Sequence, residues 1–175
     1  LEAKTCIKSS HVFKLYLYII RLMSTVGSIK KVKLNSLFKY FGPESTVSEI
    51  ADLMDLEDIG AVPILDDSFL PLGIVSERDI VRKLVKNGRD SDLVTAKDIM
   101  TKNIITVKKD TSLVEAVKLM KYNNIRHLPV IDEDKKLVNF ISHRDIMSHF
   151  YSNKRINYFL LAFALILLPA IIFIK

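Results

Sequence analysis

Apolar residues recur at helical spacing at Val47, Ile50, Leu53 and Met54, and again at Leu113, Ala116, Val117 and Met120. That spacing predicts two amphipathic helices. A hydroxyl residue stands three positions ahead of a glutamate before each one, as Thr46-x-x-Glu49 and Ser112-x-x-Glu115. This is the pattern of a capping box, in which the hydroxyl accepts from the first turn and the carboxylate reaches back. Each helix is followed by two short apolar runs, Ala61–Leu65 with Gly73–Ser76 and His127–Ile131 with Val138–Ser142. Asp66-Asp67 and Asp132-Glu133-Asp134 supply the polar turns of two hairpins. A further strand is predicted ahead of each helix, at Leu37–Phe41 and Ile104–Val107, and a second helix from Asp79 or Asp145. The unit reads strand–helix–strand–strand–helix, an α+β arrangement.

The two units are copies. Thr46–Ile80 aligns with Ser112–Ile146 at a constant offset of 66 without a gap, and 10 of the 35 pairs are identical. Among the identities are Pro63/Pro129 and the run Ser-x-Arg-Asp-Ile at Ser76–Ile80 and Ser142–Ile146. One unit of about 50 residues is too small to bury a full core alone. Two in tandem are expected to pack face to face with pseudo-twofold symmetry, leaving two related clefts. The boundaries expected are 1–33 for a basic and apolar extension, 34–90 for the first domain, 91–153 for the second and 156–175 for a terminal helix. Val81–Ile99 joins the copies through a helical piece ended by Gly88.

Charge changes the picture only at the ends. The net charge is +6, yet Ser36–Met147 holds 16 Lys/Arg against 19 Asp/Glu, so the body is slightly acidic. The flanks carry 10 Lys/Arg and a single acid, Glu2. Their positive charge adjoins apolar segments, which fits an anionic membrane surface better than nucleic acid. Tyr158–Ile174 runs 17 residues without a charge, roughly 25 Å as a helix, and is expected to anchor the chain in a membrane. Lys154 and Arg155 would place the body on the cytoplasmic side. Val12–Met23 is interrupted by Lys14 and Arg21 and is too short to span; Met23 opens a start-like polar segment and is the expected natural start. One cysteine, Cys6, excludes a disulfide scaffold and a Cys-rich zinc module.

Candidate chemistry concentrates in the duplicated Ser-x-Arg-Asp-Ile run. It lies where a strand hands over to a helix, where N–H groups and the helix dipole favour anions. A serine hydroxyl and a guanidinium add phosphate donors, and a carboxylate can accept from both hydroxyls of a ribose. The plain alternative is a helix cap with a surface ion pair. Identical residues at identical spacing in two copies favour a ligand site. Arg126-His127 adds a basic pair in copy two where copy one has Gly60-Ala61. No P-loop, no paired metal histidines and no nucleophile beside a base are present, and His143 and His149 lie six apart, so neither catalysis nor a metal site is expected.

These motifs, with Asp98–Val107 and Gly73–Ile80, resemble tandem cystathionine-β-synthase (CBS) domains, a Bateman module, over roughly Leu34 to Phe150. The resemblance implies an adenosine ligand between the domains: AMP, ADP or ATP, sometimes S-adenosylmethionine. It implies that Asp79 and Asp145 hold ribose hydroxyls, and that Ser76, Ser142, Arg78 and Arg144 lie by ribose and phosphate. Ile74 and Phe140 would line the adenine pocket, Thr101, Ile105 and Ile125 would contribute from the opposing domain, and Arg126 and His127 would meet phosphate. It also implies a homodimer. The sequence departs from the pattern at Asn139, where Gly73 stands in copy one, and at Lys39, where Ile105 stands in copy two. With Phe38, Lys39 could fill one adenine slot. The cleft built from Ser76, Asp79, Thr101 and Ile105 therefore keeps the better walls.

The expected function is a non-catalytic, membrane-held nucleotide sensor that regulates a partner through the angle between its domains. The rivals are an interaction scaffold with empty clefts, a nucleic-acid binder using Lys30, Lys31 and Lys33, and a regulator whose apolar tail is tucked into a dimer interface.

Overall fold

The computed structural model describes residues 24–33 and 38–152. A short 3-10 turn, Val26–Ser28, leads into α1 (Lys30–Lys33). The first lobe follows with α2 (Val47–Leu56), the hairpin β1 (Ala61–Leu65) and β2 (Pro71–Ser76), and α3 (Glu77–Asp79). After α4 (Ala96–Ile99) the second lobe repeats the pattern with α5 (Leu113–Tyr122), β3 (His127–Ile131), β4 (Leu137–Ser142) and α6 (His143–Ser152).

The duplication extends to hydrogen-bond register. Ala61 opposes Ser76 in the antiparallel first hairpin, and His127 opposes Ser142 in the second. Each ladder slips at the same place, between Ile64 and Leu65 and between Val130 and Ile131. The predicted leading strands shrink to single parallel bridges, Phe41 with Ile64 and Val107 with Val130. Phe41 N–H donates to Pro63 O (3.2 Å) and Val107 N–H to Pro129 O (3.0 Å). The prolines supply a carbonyl to this edge without needing a donor of their own.

Both first helices start where expected, with the full capping box in copy one and its hydroxyl half in copy two. Thr46 and Glu49 make the full reciprocal box, and Ser112 Oγ accepts from Glu115 N–H (3.1 Å). The second helices start earlier than predicted. Ser76 is the N-cap of α3, with Asp79 at the third helical position, and α6 opens at His143. In copy one the helix then widens into a π turn, Ile80–Leu84, followed by a 3-10 turn ended by Gly88 at φ 60°. Copy two runs on as regular α-helix.

The cores cross the expected boundaries. Val47, Ile50, Val62, Ile64 and Val75 pack with Val94, Ala96 and Ile99 from the connecting segment. Leu113, Ala116, Leu128, Ile141 and Ile146 pack with Val26, Ile29 and Val32, which precede the first lobe altogether. Backbone bonds seat both intruding segments: Ala96 N–H donates to Ser45 O (2.8 Å), and Val26 N–H to Thr111 O (2.8 Å). Thr25–Ile29 is thus the structural counterpart of Thr95–Ile99, at an offset of 70 rather than 66. Val26, Ile29 and Val32, read as part of an extension, pack in the core of the second lobe.

This counterpart explains Asn139. Beside Gly73 the connecting segment comes close enough for direct pairing: Ile74 N–H donates to Thr101 O (3.1 Å) and Thr101 N–H to Ile74 O (2.8 Å). A Cβ on Gly73 would meet Met100 Sδ at 2.7 Å, so any larger residue requires the Met100 side chain to move. In copy two the fully buried Asn139 spans the equivalent gap with its amide. Its Oδ1 accepts from Phe140 N–H (2.9 Å) and its Nδ2 donates to Lys31 O (3.4 Å).

The membrane placement is corrected. Among the described residues no helix is long and apolar enough to cross a membrane. The longest run 10 residues, about 15 Å, half a hydrocarbon core. The expected anchor, 156–175, lies outside the described residues, as do the apolar N-terminal segment and the start at Met23.

Two substitutions test this account. Ile29→Ala should destabilise the chain by about 2–5 kcal/mol, the cost of a core deletion, whereas an isolated extension would leave chemical denaturation unchanged. Asn139→Leu should cost about 1–3 kcal/mol by leaving Phe140 N–H without its acceptor, read from the same curves.

Candidate functional site

The gap between the lobes holds two cavities related by the pseudo-twofold. The first, of about 270 Å³, takes Ile74, Ser76, Arg78 and Asp79 from lobe one, with Thr101, Ile105 and Ile125 opposite. The second, of about 660 Å³, takes Phe140, Ser142, Arg144 and Asp145, facing Phe38 and Lys39. Arg126 and His127 line both, as do Gly60 and Glu77. All thirteen residues singled out in the sequence therefore border the inter-lobe gap.

Each carboxylate is fixed by its own helix start. Asp79 Oδ2 accepts from Ser76 N–H (3.1 Å) and Ser76 Oγ (2.6 Å). Asp145 Oδ2 accepts from Ser142 N–H (2.7 Å) and Ser142 Oγ (2.8 Å). Beyond that the two differ. Asp79 Oδ1 also accepts from Thr101 Oγ1 (3.0 Å) and pairs with Lys83 Nζ (2.8 Å). Asp145 has Lys31 Nζ 4.0 Å from its Oδ2. Lys31 occupies the place of Thr101 in the second cavity, two residues beyond Ile29 as Thr101 is two beyond Ile99. Lys31 consequently forms part of the second cavity's wall.

Burial raises the Asp79 pKa, but hydrogen bonds from Lys83, Ser76 and Thr101 and the Lys83 charge outweigh it and hold the carboxyl below its ordinary value. His127 moves further. Desolvation pushes it down from 6.5 to about 4; Asp145 opposes this, and Lys31 and Arg126 add to it. The ring is neutral at pH 7 and stacks on Phe140, centroids 5.5 Å apart and planes 7° apart. Phe140, expected as an open adenine wall, is thus covered by His127 and only 6% exposed.

The arginines cross the gap. Arg78 donates to Asn124 O (3.2 Å), and Arg144 meets Asp58 Oδ2 (3.4 Å). Asn124 and Asp58 are equivalent and share a left-handed backbone, φ 53° and 50°. The expected anion site at the helix starts is already partly used by the protein. Glu77 N–H donates to Gly60 O (3.1 Å) and His143 N–H to Arg126 O (2.8 Å). A phosphate here would be met by guanidinium and ammonium groups. Sequence reasoning missed Lys83 and Lys31. Lys83 had a signal, four residues after Asp79, while Lys31 had none, because its segment does not share the repeat's offset.

A family model for the CBS domain matches residues 31–86 and 96–152. An uncharacterised protein of Methanopyrus kandleri is 43% identical over 105 residues, 60% of this chain and 54% of that one, so the chain spans about half that relative's length. A solved protein with CBS domains from Burkholderia ambifaria superposes with a TM-score of 0.69 at 31% identity, over 74% of this chain and 96% of that one. A CBS domain pair solved in complex with 5′-methylthioadenosine and S-adenosylmethionine superposes with a TM-score of 0.61 at 26% identity, over 73% of this chain and 95% of that one.

The histidine yields a pH prediction. Its folded value lies below its unfolded one, so its contribution is complete above 6.5 and is lost as pH falls towards about 4. One proton taken up on unfolding in that window lowers stability by about 1.4 kcal/mol per pH unit. Denaturation of the wild type at pH 6, 5.5 and 5 should approach that slope, and His127→Gln should flatten it.

Proposed function

The chain belongs to the CBS-domain family, and from that membership we propose that it is a non-catalytic regulatory module that takes an adenosine ligand between its lobes. AMP, ADP, ATP and S-adenosylmethionine are the candidates. The observation that carries the reading is the duplicated Ser–Asp pair, each facing an inter-lobe cavity with a cross-gap arginine beside it. Asp145 and Asp79 would accept from the ribose diol. Ser76, Ser142, Arg78, Arg144 and Arg126 would face the ribose and phosphate side. Ile74, Ile105 and Ile125 would flank the base in the first cavity, with Thr101 beside the ribose.

The solved CBS pair with bound 5′-methylthioadenosine and S-adenosylmethionine supports the ligand class. A ligand touching both lobes binds according to their relative angle, so a partner or a second copy of the chain that senses the angle is regulated by linkage. The scaffold reading draws support from Phe38 and Lys39 in the second cavity and from the covered face of Phe140.

Titration calorimetry of the chain with AMP, ATP and S-adenosylmethionine separates the two readings. The proposal expects saturable heat and a raised melting temperature with at least one of them. It also expects Asp145→Asn to weaken binding roughly tenfold, the worth of a hydrogen bond to a charged group. Absence of heat and of thermal shift with all three overturns it and leaves the scaffold.

A further inference from the structure

The two ribose-facing carboxylates differ in how much acceptor capacity remains. An ionised carboxylate offers about four lone-pair positions. Asp79 has four donors on it already: Ser76 N–H, Ser76 Oγ, Thr101 Oγ1 and Lys83 Nζ. Its side chain is only 12% exposed, so water adds little. Asp145 receives Ser142 N–H and Ser142 Oγ, both on Oδ2. The Lys31 ammonium, at 4.0 Å, is beyond hydrogen-bond reach.

Lys83 is the decisive difference. Its Nζ lies 2.6 Å from Ile99 O, 2.8 Å from Asp79 Oδ1 and 3.5 Å from Thr101 Oγ1. The side chain therefore clips the second helix of lobe one to the connecting segment, across the mouth of the carboxylate. The equivalent residue in copy two is His149, which turns to Ser28 Oγ at 3.3 Å and leaves Asp145 alone.

We infer that Lys83 is a built-in competitor for the ribose position of the first cavity, so that a nucleoside diol reaches Asp79 only by displacing the ammonium. The inference rests on the adenosine reading above. Displacement does not strand the lysine, since Ile99 O still accepts from it. Nor does it strand the carboxylate, since a ribose hydroxyl takes the position of the lost donor. Lys83 thus sets the affinity of the first cavity, while Asp145 stands open. The role is one of positioning and selection, and it acts on the diol rather than on the base or phosphate.

The test uses adenosine, which has the diol but no phosphate to be drawn by the lysine charge. It is titrated into the full chain carrying Asp145→Asn, so that the first cavity alone keeps its carboxylate. Adding Lys83→Met should tighten adenosine binding by about tenfold, the removal of one charged hydrogen bond from the competitor. The gain should vanish for 2′,3′-dideoxyadenosine, which has no diol. Lys83→Gln, which keeps a donor for Ile99 O, should give a smaller gain of the same sign and serves if the methionine variant does not fold. Unchanged or weaker adenosine binding in both lysine variants, with Asp79→Asn abolishing it, overturns the competitor and leaves the adenosine reading intact. An equal gain for the dideoxynucleoside also overturns it, because the effect would then not run through the diol. No binding of adenosine, AMP, ATP or S-adenosylmethionine to the wild type or any variant brings down the adenosine reading, and the competitor with it.

Discussion

A serine hydroxyl and a carboxylate three residues apart close a small ring at the start of each second helix, and the cavities are arranged around that ring. The hydroxyl hydrogen bonds to the carboxylate at 2.6 Å in copy one and 2.8 Å in copy two. It also accepts from the aspartate's own N–H, at 3.3 and 3.2 Å. The cap that starts the helix thereby holds a charge at the gap with no ligand present. Preorganisation of this kind lowers the cost of binding because the acceptor is already ordered. It also limits the site, since every donor used in holding the carboxylate is a lone pair withdrawn from a guest.

The intruding segments connect this ring to the cores. Ile99 is buried in the first lobe, and Thr101, two residues on, touches Asp79 and pairs with Ile74. Ile29 is buried in the second lobe, and Lys31, two residues on, lies by Asp145. Each cavity wall is therefore continuous with a packed core, so a displacement at the wall strains close-packed side chains. Because the segment closing the second lobe precedes the first in the chain, neither lobe is complete without residues from beyond its repeat. Arg78 and Arg144 add ties across the gap, but exposed ones of little strength. The lobes are held by their shared segments and left adjustable at the rim.

Most of the fold was legible because it depends on local chemistry. Thr46 with Glu49, the hairpin turns after Leu65 and Ile131, and Gly88 as a helix stop each declare themselves in a few residues. Ser76, Arg78 and Asp79, with Ser142, Arg144 and Asp145, were legible because the run recurs, whereas Ile74, Phe140, Thr101, Ile105 and Ile125 followed only from the family resemblance. What lay hidden was long-range. Val26–Ile29 and Ala96–Ile99 share only the isoleucine, at a different offset from the repeat, so nothing local marks Ile29 as core of a lobe that begins far downstream. The stacking of His127 on Phe140 depends on the hairpin register, in which their strands run antiparallel. The apolar C-terminus shows the converse risk, since hydropathy alone placed the chain in a membrane and no described helix follows it.

Duplication produces two cavities, and substitution at equivalent places makes them unlike. Thr101 against Lys31, Ile105 against Lys39, Glu77 against His143 and Lys83 against His149 all change charge or polarity across the pseudo-twofold. At the shared wall the pairing is Gly60 against Arg126, so one guanidinium stands where symmetry would place two. His127 is neutral there at pH 7 because burial depresses its pKa, so the charge common to both cavities comes from Arg126 and Glu77. Both cavities border the same exposed arginine, Arg126. The cavities share Arg126, and equal behaviour of the two would require the asymmetries on either side to cancel. Their signs do not cancel: the first cavity's own carboxylate is satisfied by Lys83, whereas the second has Lys31 4.0 Å from one that remains half open, with Lys39 on its wall paired to Glu57.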